Sequence, residues 1–320
     1  MQQKSIKLRT IFMGTSEFAN AILVALIENN YNLIGVYTQP DKKVGRKQTL
    51  EKTAVKITAE KYNIPVFSPS KLDEEEIIKL KEQTPDLLIV AAYGKILPES
   101  ILKFPGFGAI NIHASLLPSY RGPAPIQNAL LSGEKKTGVT LMLMDKGIDT
   151  GEIIKQQEIA IGDNETASEL SQRLSALSVK LILESLPLWI ERKIKSTPQN
   201  EKQATLCQLI ERSDGKIIWS DSAQSIYNRY RAFFAWPGIF TYWEKNGSIL
   251  RIKLNKITFS NANTTEKKHL GEVFQIEEKI AIQAGEGLIF PQEIQKEGKN
   301  NLDIKKFING NADFIGSILK

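Results

Sequence analysis

Cysteine and histidine are almost missing from this chain: Cys207 is the single thiol, and His113 and His269 are the two imidazoles, among 320 residues. One thiol excludes an intramolecular disulfide framework. It also argues against a cysteine-ligated zinc site, which needs several clustered ligands, so no metal is expected. No apolar run approaches the roughly 18 to 20 residues that span a membrane. The polar start, Met1 to Thr10, lacks the apolar core of a secretion signal, which points to a cytoplasmic protein. There is no G-x-G-x-x-G fingerprint after the first apolar run, only Gly14-Thr15-Ser16. Nicotinamide or flavin binding is therefore disfavoured. Gly14 reads as a tight turn and Ser16 as a helix N-cap. Internal repeats and low-complexity tracts are also absent.

Alternating strands and helices fill the first part of the chain. Leu8–Met13, Leu33–Thr38, Asp86–Ala91, Ala109–Ala114 and Thr137–Met144 read as strands, and Pro65–Phe67 as extended. Helical spacing runs through Ala19–Ile27, Leu50–Tyr62, Glu74–Glu82, Ile126–Leu131 and Thr166–Ile190. This pattern predicts an α/β fold with a doubly wound, mostly parallel, Rossmann-like sheet. Such sheets bind ligands beyond the carboxyl ends of their strands. Ser196-Thr197-Pro198-Gln199-Asn200 reads as linker, Ile217–Trp219 as extended and Ser222–Ala232 as helix. From Gly238 onward short strands punctuated by glycine predict a smaller, OB-like β-barrel. The expected division is residues 1–192, a linker 193–210, and a C-terminal domain 211–320.

The formal charge of +6 is unevenly spread, because residues 191–320 hold 20 basic and 15 acidic residues while residues 1–190 hold 22 and 21. The basic end suits a phosphate-rich partner such as RNA, although a modest excess also serves solubility. A second basic feature is local: Lys42, Lys43, Arg46 and Lys47 fall within six positions, around Gly45. Trp219, Tyr227, Tyr230, Phe233, Phe234, Trp236, Phe240, Tyr242 and Trp243 offer base-stacking surface, but most are expected to be core.

The densest chemistry lies between Gly108 and Gly151. Asn111 and His113 are two apart on a predicted strand, so their side chains share a face. Pro118, Pro123 and Pro125 stiffen the loop that follows, and Asp149 sits in Asp145-Lys146-Gly147-Ile148-Asp149-Thr150-Gly151. Amide, imidazole and carboxylate together can hold an oxyanion and move a proton, as acyl transfer to an amine requires.

These residues resemble the folate-dependent formyltransferases, most closely those that act on an aminoacylated tRNA. The similarity rests on Asn111-Ile112-His113-Ala114-Ser115-Leu116-Leu117-Pro118 and Ile148-Asp149-Thr150-Gly151. It extends to Phe12-Met13-Gly14-Thr15, Thr38-Gln39-Pro40-Asp41, Val90-Ala91-Ala92-Tyr93-Gly94-Lys95-Ile96-Leu97-Pro98 and Arg231-Ala232-Phe233-Phe234-Ala235-Trp236-Pro237-Gly238. Departures are few: Ser16 for a common Pro, Pro123 for a common Ala, and Phe234-Ala235 for Asn-Pro.

The resemblance implies that Asn111, His113 and Asp149 are the catalytic trio. It implies that Val90, Ala91, Ala92 and Tyr93, with Ser115, Leu116, Leu117 and Pro118, flank the folate. It further implies that Lys42, Lys43, Arg46 and Lys47 form a basic finger for the acceptor stem of a tRNA. The implied reaction carries the formyl group of 10-formyltetrahydrofolate to the α-amine of methionine on initiator methionyl-tRNA and needs no metal; a monomer without membrane attachment is expected. The competing expectation is a relative that formylates a sugar-nucleotide or another small-molecule amine.

Overall fold

The computed structural model describes residues 8–44, 48–262, 264 and 266–320. The chain divides into two units, described separately below. The first comprises Met1–Pro125, Lys136–Ala160 and Ser171–Gln208; the second comprises Ile126–Lys135, Ile161–Leu170 and Leu209–Lys320.

In the first unit β1 (Thr10–Gly14) is buried along its whole length, as the apolar run requires. It leads into α1 (Glu17–Glu28), whose Phe18, Ala19, Ile22, Leu23 and Leu26 are buried. Ser16 stands at the N-cap position but makes no side-chain cap bond, so the helix start is fixed by packing rather than by that hydroxyl. β2 (Leu33–Tyr37) follows. Next comes a two-stranded antiparallel hairpin, β3 (Lys42–Val44) with β4 (Thr49–Glu51). The helix expected from Leu50 therefore starts later, as α2 (Ala54–Lys61), where Thr53 caps the Lys56 amide. Residues Thr49–Glu51 satisfy their backbone across the hairpin instead. β5 (Val66–Phe67) and α3 (Glu74–Glu82) come next. In α3 the Asp73 cap and the acidic first turn suit the positive end of the helix dipole.

The unit continues with β6 (Leu87–Ala91), α4 (Glu99–Leu102) and β7 (Ala109–His113). After α5 (Pro125–Leu131), which beyond Pro125 belongs to the second unit, come β8 (Lys136–Leu143) and β9 (Ile153–Ala160), then α6 (Ala167–Ile190), which belongs to the first unit from Ser171 onward. The seven-stranded sheet has the order β5-β2-β1-β6-β7-β8-β9. Its first five strands are parallel, whereas β8 and β9 each run antiparallel to the strand before. β9 escapes the sequence reading because Lys155, Gln156, Gln157 and Glu158 give an edge strand little apolar character. Ile11, Met13, Leu88, Val90 and Ala109 form a core on the sheet with Tyr37, Tyr93, Leu97 and Ile101. Each large apolar side chain sealed there contributes roughly 1.5–3 kcal/mol. Strand order reverses between β1 and β6, and the crevice expected at that switch opens at their carboxyl ends.

The second unit is built on α7 (Ala223–Ala232) and a curled antiparallel sheet. Its strands are β10 (Ile239–Lys245), β11 (Ser248–Ser260), β12 (Val273–Ile276), β13 (Lys279–Gln283), β14 (Leu288–Lys296) and β15 (Leu302–Asp303), followed by α8 (Ile304–Asn309). Along the path β10-β11-β14-β13-β12 the outer strands are β10 and β12. The final residues knit these edges: Tyr242 and Lys320 exchange both backbone bonds at 2.9 Å, Leu319 donates to Gly271, and Val273 donates to Ser317. Ile217–Trp219, expected to be extended, forms no strand; Lys216 makes one bridge to Phe240. Five of the aromatic set are core (Trp219, Tyr227, Phe233, Phe240 and Trp243), while Phe234 and Trp236 are about half exposed, at 49% and 52%. Arg231 on α7 is buried and donates to the carbonyls of Gly162 and Glu165, which ties the segment 161–165 to this unit.

Candidate active site

Asn111 and His113 occupy the second half of β7 on one face of the pleat. His113 is 6% exposed. Asp149 reaches them from the loop after β8. That loop braces itself: the Asp145 carboxylate accepts from the Gly147 amide at 3.0 Å and from the Thr150 hydroxyl at 2.6 Å. It turns back so closely that a Cβ on Gly151 would lie 1.8 Å from the Leu143 carbonyl oxygen. Only glycine permits the approach. Asp149 itself has φ +53°, the left-handed region that Asp tolerates better than most residues.

The trio converges on one carboxylate. Asn111 Nδ2 donates to Asp149 Oδ1 at 3.2 Å, and the Gly122 amide donates to Asp149 Oδ2 at 2.8 Å. His113 Nδ1 faces Asp149 Oδ2 at 3.6 Å, an ion-pair approach too long for a hydrogen bond. His113 Nε2 lies 3.0 Å from the Tyr120 carbonyl. A carbonyl can only accept, so Nε2 carries the proton there and Nδ1 is the ring nitrogen turned to Asp149. Amide, imidazole and carboxylate are thus within reach of one reacting group, and the second Asn111 amide hydrogen remains for an oxyanion.

The segment after His113 is held from below. Thr140 Oγ1 donates to the Ser115 carbonyl at 2.6 Å and accepts from the Leu117 amide at 3.1 Å, while Gln156 Nε2 donates to the Leu117 carbonyl at 2.8 Å. The Leu117–Pro118 bond is cis. Of the expected folate residues here, Ser115 and Leu117 are buried and brace the loop, whereas Leu116 and Pro118 keep exposed surface. Val90 and Ala91 end β6 and are buried; in the turn that follows, Tyr93 is buried and Ala92 is exposed. What this turn offers a ligand is backbone. Across the switch point Thr15 Oγ1 donates to the Tyr93 carbonyl at 3.0 Å, and Gln39 Nε2 bridges the carbonyls of Tyr93 and Gly94 at 3.1 and 3.0 Å.

Residues 197–207, which composition marks as linker, are bound to the loop that follows β7 and to the turn at Asp149. The Arg121 amide donates to the Thr205 carbonyl at 2.9 Å, and the Cys207 amide donates to the Arg121 carbonyl at 2.8 Å. Gly122, with φ +121°, leaves no room for a Cβ, which would meet the Cys207 carbonyl oxygen at 2.5 Å. Cys207 is buried, and that burial pushes its thiol up from the ordinary value. It behaves as a packing residue rather than a nucleophile. The sequence missed this strap because its signal is backbone hydrogen bonding, which composition does not record.

The basic finger is described in part. Lys42 and Lys43 lie on β3 with exposed side chains; Arg46 and Lys47 lie outside the described residues. The second unit carries cations that sequence reasoning did not single out. Burial, with the charges of Arg251 and Arg212, holds the Lys253 ammonium below the ordinary lysine value. These three are spread over 40 positions, so no local charge run reveals them. A cavity of about 710 Å³, lined in part by Phe107, Leu143, Trp189, Arg192 and Lys195, lies by Gly108, at the start of β7 and away from His113. Among the described residues, no three His, Cys, Asp or Glu side chains gather as a metal site requires.

Residues 7–186 match the formyl transferase family, and residues 209–312 match the formyl transferase C-terminal domain. The methionyl-tRNA formyltransferase of Alkaliphilus oremlandii (strain OhILAs) is 38% identical over 314 residues, covering 98% of this chain and 99% of its own length. That of Caldicellulosiruptor saccharolyticus is 42% identical over 313 residues, covering 97% and 99%. Among solved structures, an N-formyltransferase from Helicobacter canadensis in complex with folinic acid and dTDP-3-aminofucose superposes with a TM-score of 0.65, at 23% identity, over 90% of this chain and 99% of its own. That likeness establishes the shared fold. With both family domains matched in order and curated relatives aligned from end to end, the chain belongs to the formyl transferase family, among the methionyl-tRNA formyltransferases.

Proposed function

We propose that the chain transfers the formyl group of 10-formyltetrahydrofolate to the α-amine of methionine on initiator methionyl-tRNA. The observation that carries this reading is the end-to-end match to methionyl-tRNA formyltransferases at 38–42% identity. The folate supplies an activated formyl carbon and a leaving nitrogen. Residues of this chain suit a flat ring with polar edges: apolar Ile96 and Ile148 stand exposed at 80% and 61% on the two segments that follow β6 and β8, and Ala92 is exposed as well.

In the proposed mechanism, attack by the amine builds negative charge on the formyl oxygen. The Asn111 amide donates to that oxygen, with the His113 imidazole as the second polar group at hand. Asp149 orients both and accepts the amine proton, directly or through water. The proton then passes to the departing folate nitrogen, so no metal and no covalent intermediate is needed. Water exclusion around the buried imidazole strengthens each of these interactions.

For the tRNA, Lys42 and Lys43 with Arg46 and Lys47 form the proposed acceptor-stem finger. The Arg212–Arg251–Lys253 cluster is a proposed phosphate surface, since an incoming phosphate offsets the burial and the like charges that together hold Lys253 below the ordinary lysine value. The reading places the protein in the cytoplasm, acting as a monomer; sedimentation in the absence of tRNA tests the latter. Among the described residues no helix is long and apolar enough to cross a membrane.

The test is one competition assay with the folate donor present: charged initiator tRNA against an amino-sugar nucleotide. Formylation of methionyl-tRNA is expected, and formylation of the sugar amine alone overturns the reading.

A further inference from the structure

The trio of side chains is held by a second layer contributed by the strap. Gln199 Nε2 donates to the Asp149 carbonyl at 2.8 Å and to the Gly151 carbonyl at 2.7 Å, so one side-chain amide bridges both ends of the turn that presents Asp149. Its Oε1 accepts from Arg121 Nε at 3.1 Å and Nη2 at 2.9 Å. The same guanidinium is paired with Glu201 through Nη1 to Oε2 at 2.9 Å and Nη2 to Oε1 at 2.7 Å. Arg121 is 4% exposed. A planar, always-charged fork sealed in this way fixes both oxygen partners in direction.

We propose that Gln199, locked by Arg121 and Glu201, is a positioning residue for the reaction: it sets the left-handed turn at Asp149 and so the register of its carboxylate against Asn111 and His113. The argument is geometric. Asp149 sits at φ +53°, a conformation that persists only when neighbours over-determine it. The turn's own bonds, from Asp145 to Gly147 and Thr150, brace the residues before and after Asp149 but leave its carbonyl to Gln199. At the other face, the Gly122 amide that grips Asp149 Oδ2 is next in sequence to Arg121. The strap therefore controls both the backbone and the side chain of Asp149 through one Arg–Gln pair. A carboxylate displaced by about an ångström is enough to slow a positioned reaction roughly 100-fold.

The inference rests on the proposed role of Asp149, and its test is arranged so that the two fail separately. Gln199→Ala removes both donors. Gln199→Glu keeps the shape but replaces the donor amide with a carboxylate that repels the two carbonyls. Each variant is expected to lower kcat about 10- to 100-fold while KM for methionyl-tRNA and for the folate stays within about twofold. A second readout needs no substrate: the chain has two histidines, His113 and His269. The Cε1–H proton resonance of His113 is expected to move in both variants while that of His269 stays. Wild-type kcat with an unmoved His113 resonance overturns the proposal, as does a loss confined to KM for tRNA, which makes the strap a tRNA contact instead. If Gln199→Ala does not fold, the isosteric Gln199→Glu decides by the same measurements. A wild-type chain that fails to formylate methionyl-tRNA sinks the functional reading, and the His113 resonance still decides the clamp.

Discussion

At the scale of the residue, the site's demands fall on a few side chains whose loss has distinct signatures. His113→Ala and Asp149→Asn each remove one polar partner from the reacting oxygen or the amine proton. Each is expected to reduce kcat about 100- to 1000-fold, with a far-UV circular dichroism spectrum like that of the parent. Wild-type-like turnover of charged tRNA in either variant rejects the assigned role. Gly151→Ala tests the close return of the loop. A methyl 1.8 Å from the Leu143 carbonyl oxygen has no room, so the turn must move, at a cost of about 1–3 kcal/mol that urea unfolding measures. Glu201 gives a pH test with a definite sign. Its hydrogen bonds from Arg121 hold its carboxyl below the ordinary 4.5. A carboxylate depressed in the folded state adds stability above its unfolded pKa, and that stability fades as pH falls through the folded value. The Tm gap between the parent and Glu201→Gln should thus be present at neutral pH and close as the pH falls below the ordinary carboxylate range. A gap that persists in acid contradicts the ion pair as its source.

At the scale of the element, closure of the second unit depends on residues 316–320. They supply backbone partners to both β10 and β12 and bury Leu319 at 2% exposure. Deleting them leaves the outer edges of two strands without partners and one apolar side chain lost, a penalty of about 3–5 kcal/mol. The unit should unfold at lower urea and bind a dye specific for exposed apolar surface; an unchanged transition refutes the tail's role in covering both edges. None of this closure was legible in the sequence, because Gly316–Lys320 has no strand periodicity and acts through main-chain bonds. What was legible had strong local patterning. Leu87–Ala91 is a continuous apolar strand, and the two-residue spacing of Asn111 and His113 on the next strand already placed them on one face. The strap 197–207 was invisible for the opposite reason: its polar residues mimic a linker, yet Gln199 and Thr205 spend that polarity on the catalytic loop. The helix read over Leu50–Tyr62 absorbs β4, because its pairing with Lys42–Val44 leaves no mark in the local pattern.

At the scale of the whole molecule, charge is the property that separates a tRNA enzyme from a small-molecule one. The net of +6 gathers at the C-terminal end, and its sharpest expression, Arg212 with Arg251 and Lys253, is costly without a counter-charge: Lys253 is held below its ordinary value by burial and by those two neighbours. Arg251 rests on the Phe240 ring and Lys253 donates to the Pro237 carbonyl, while a phosphate at the cluster would turn the remaining repulsion into affinity and release condensed counterions. The exposed Lys42 and Lys43 are the second proposed site, on the first unit. If both sites meet tRNA phosphates, Lys42→Glu with Lys43→Glu, and Arg251→Glu with Lys253→Glu, each raise KM for methionyl-tRNA about tenfold or more at low salt. Each also flattens the plot of log KM against log salt by roughly 0.7 to 0.9 for every phosphate contact removed. KM for the folate should not move, because a neutral effect on the small substrate is what distinguishes a surface for nucleic acid from damage to the catalytic unit. A variant pair that leaves the salt slope of the parent intact removes that surface from the tRNA path, whatever its charge.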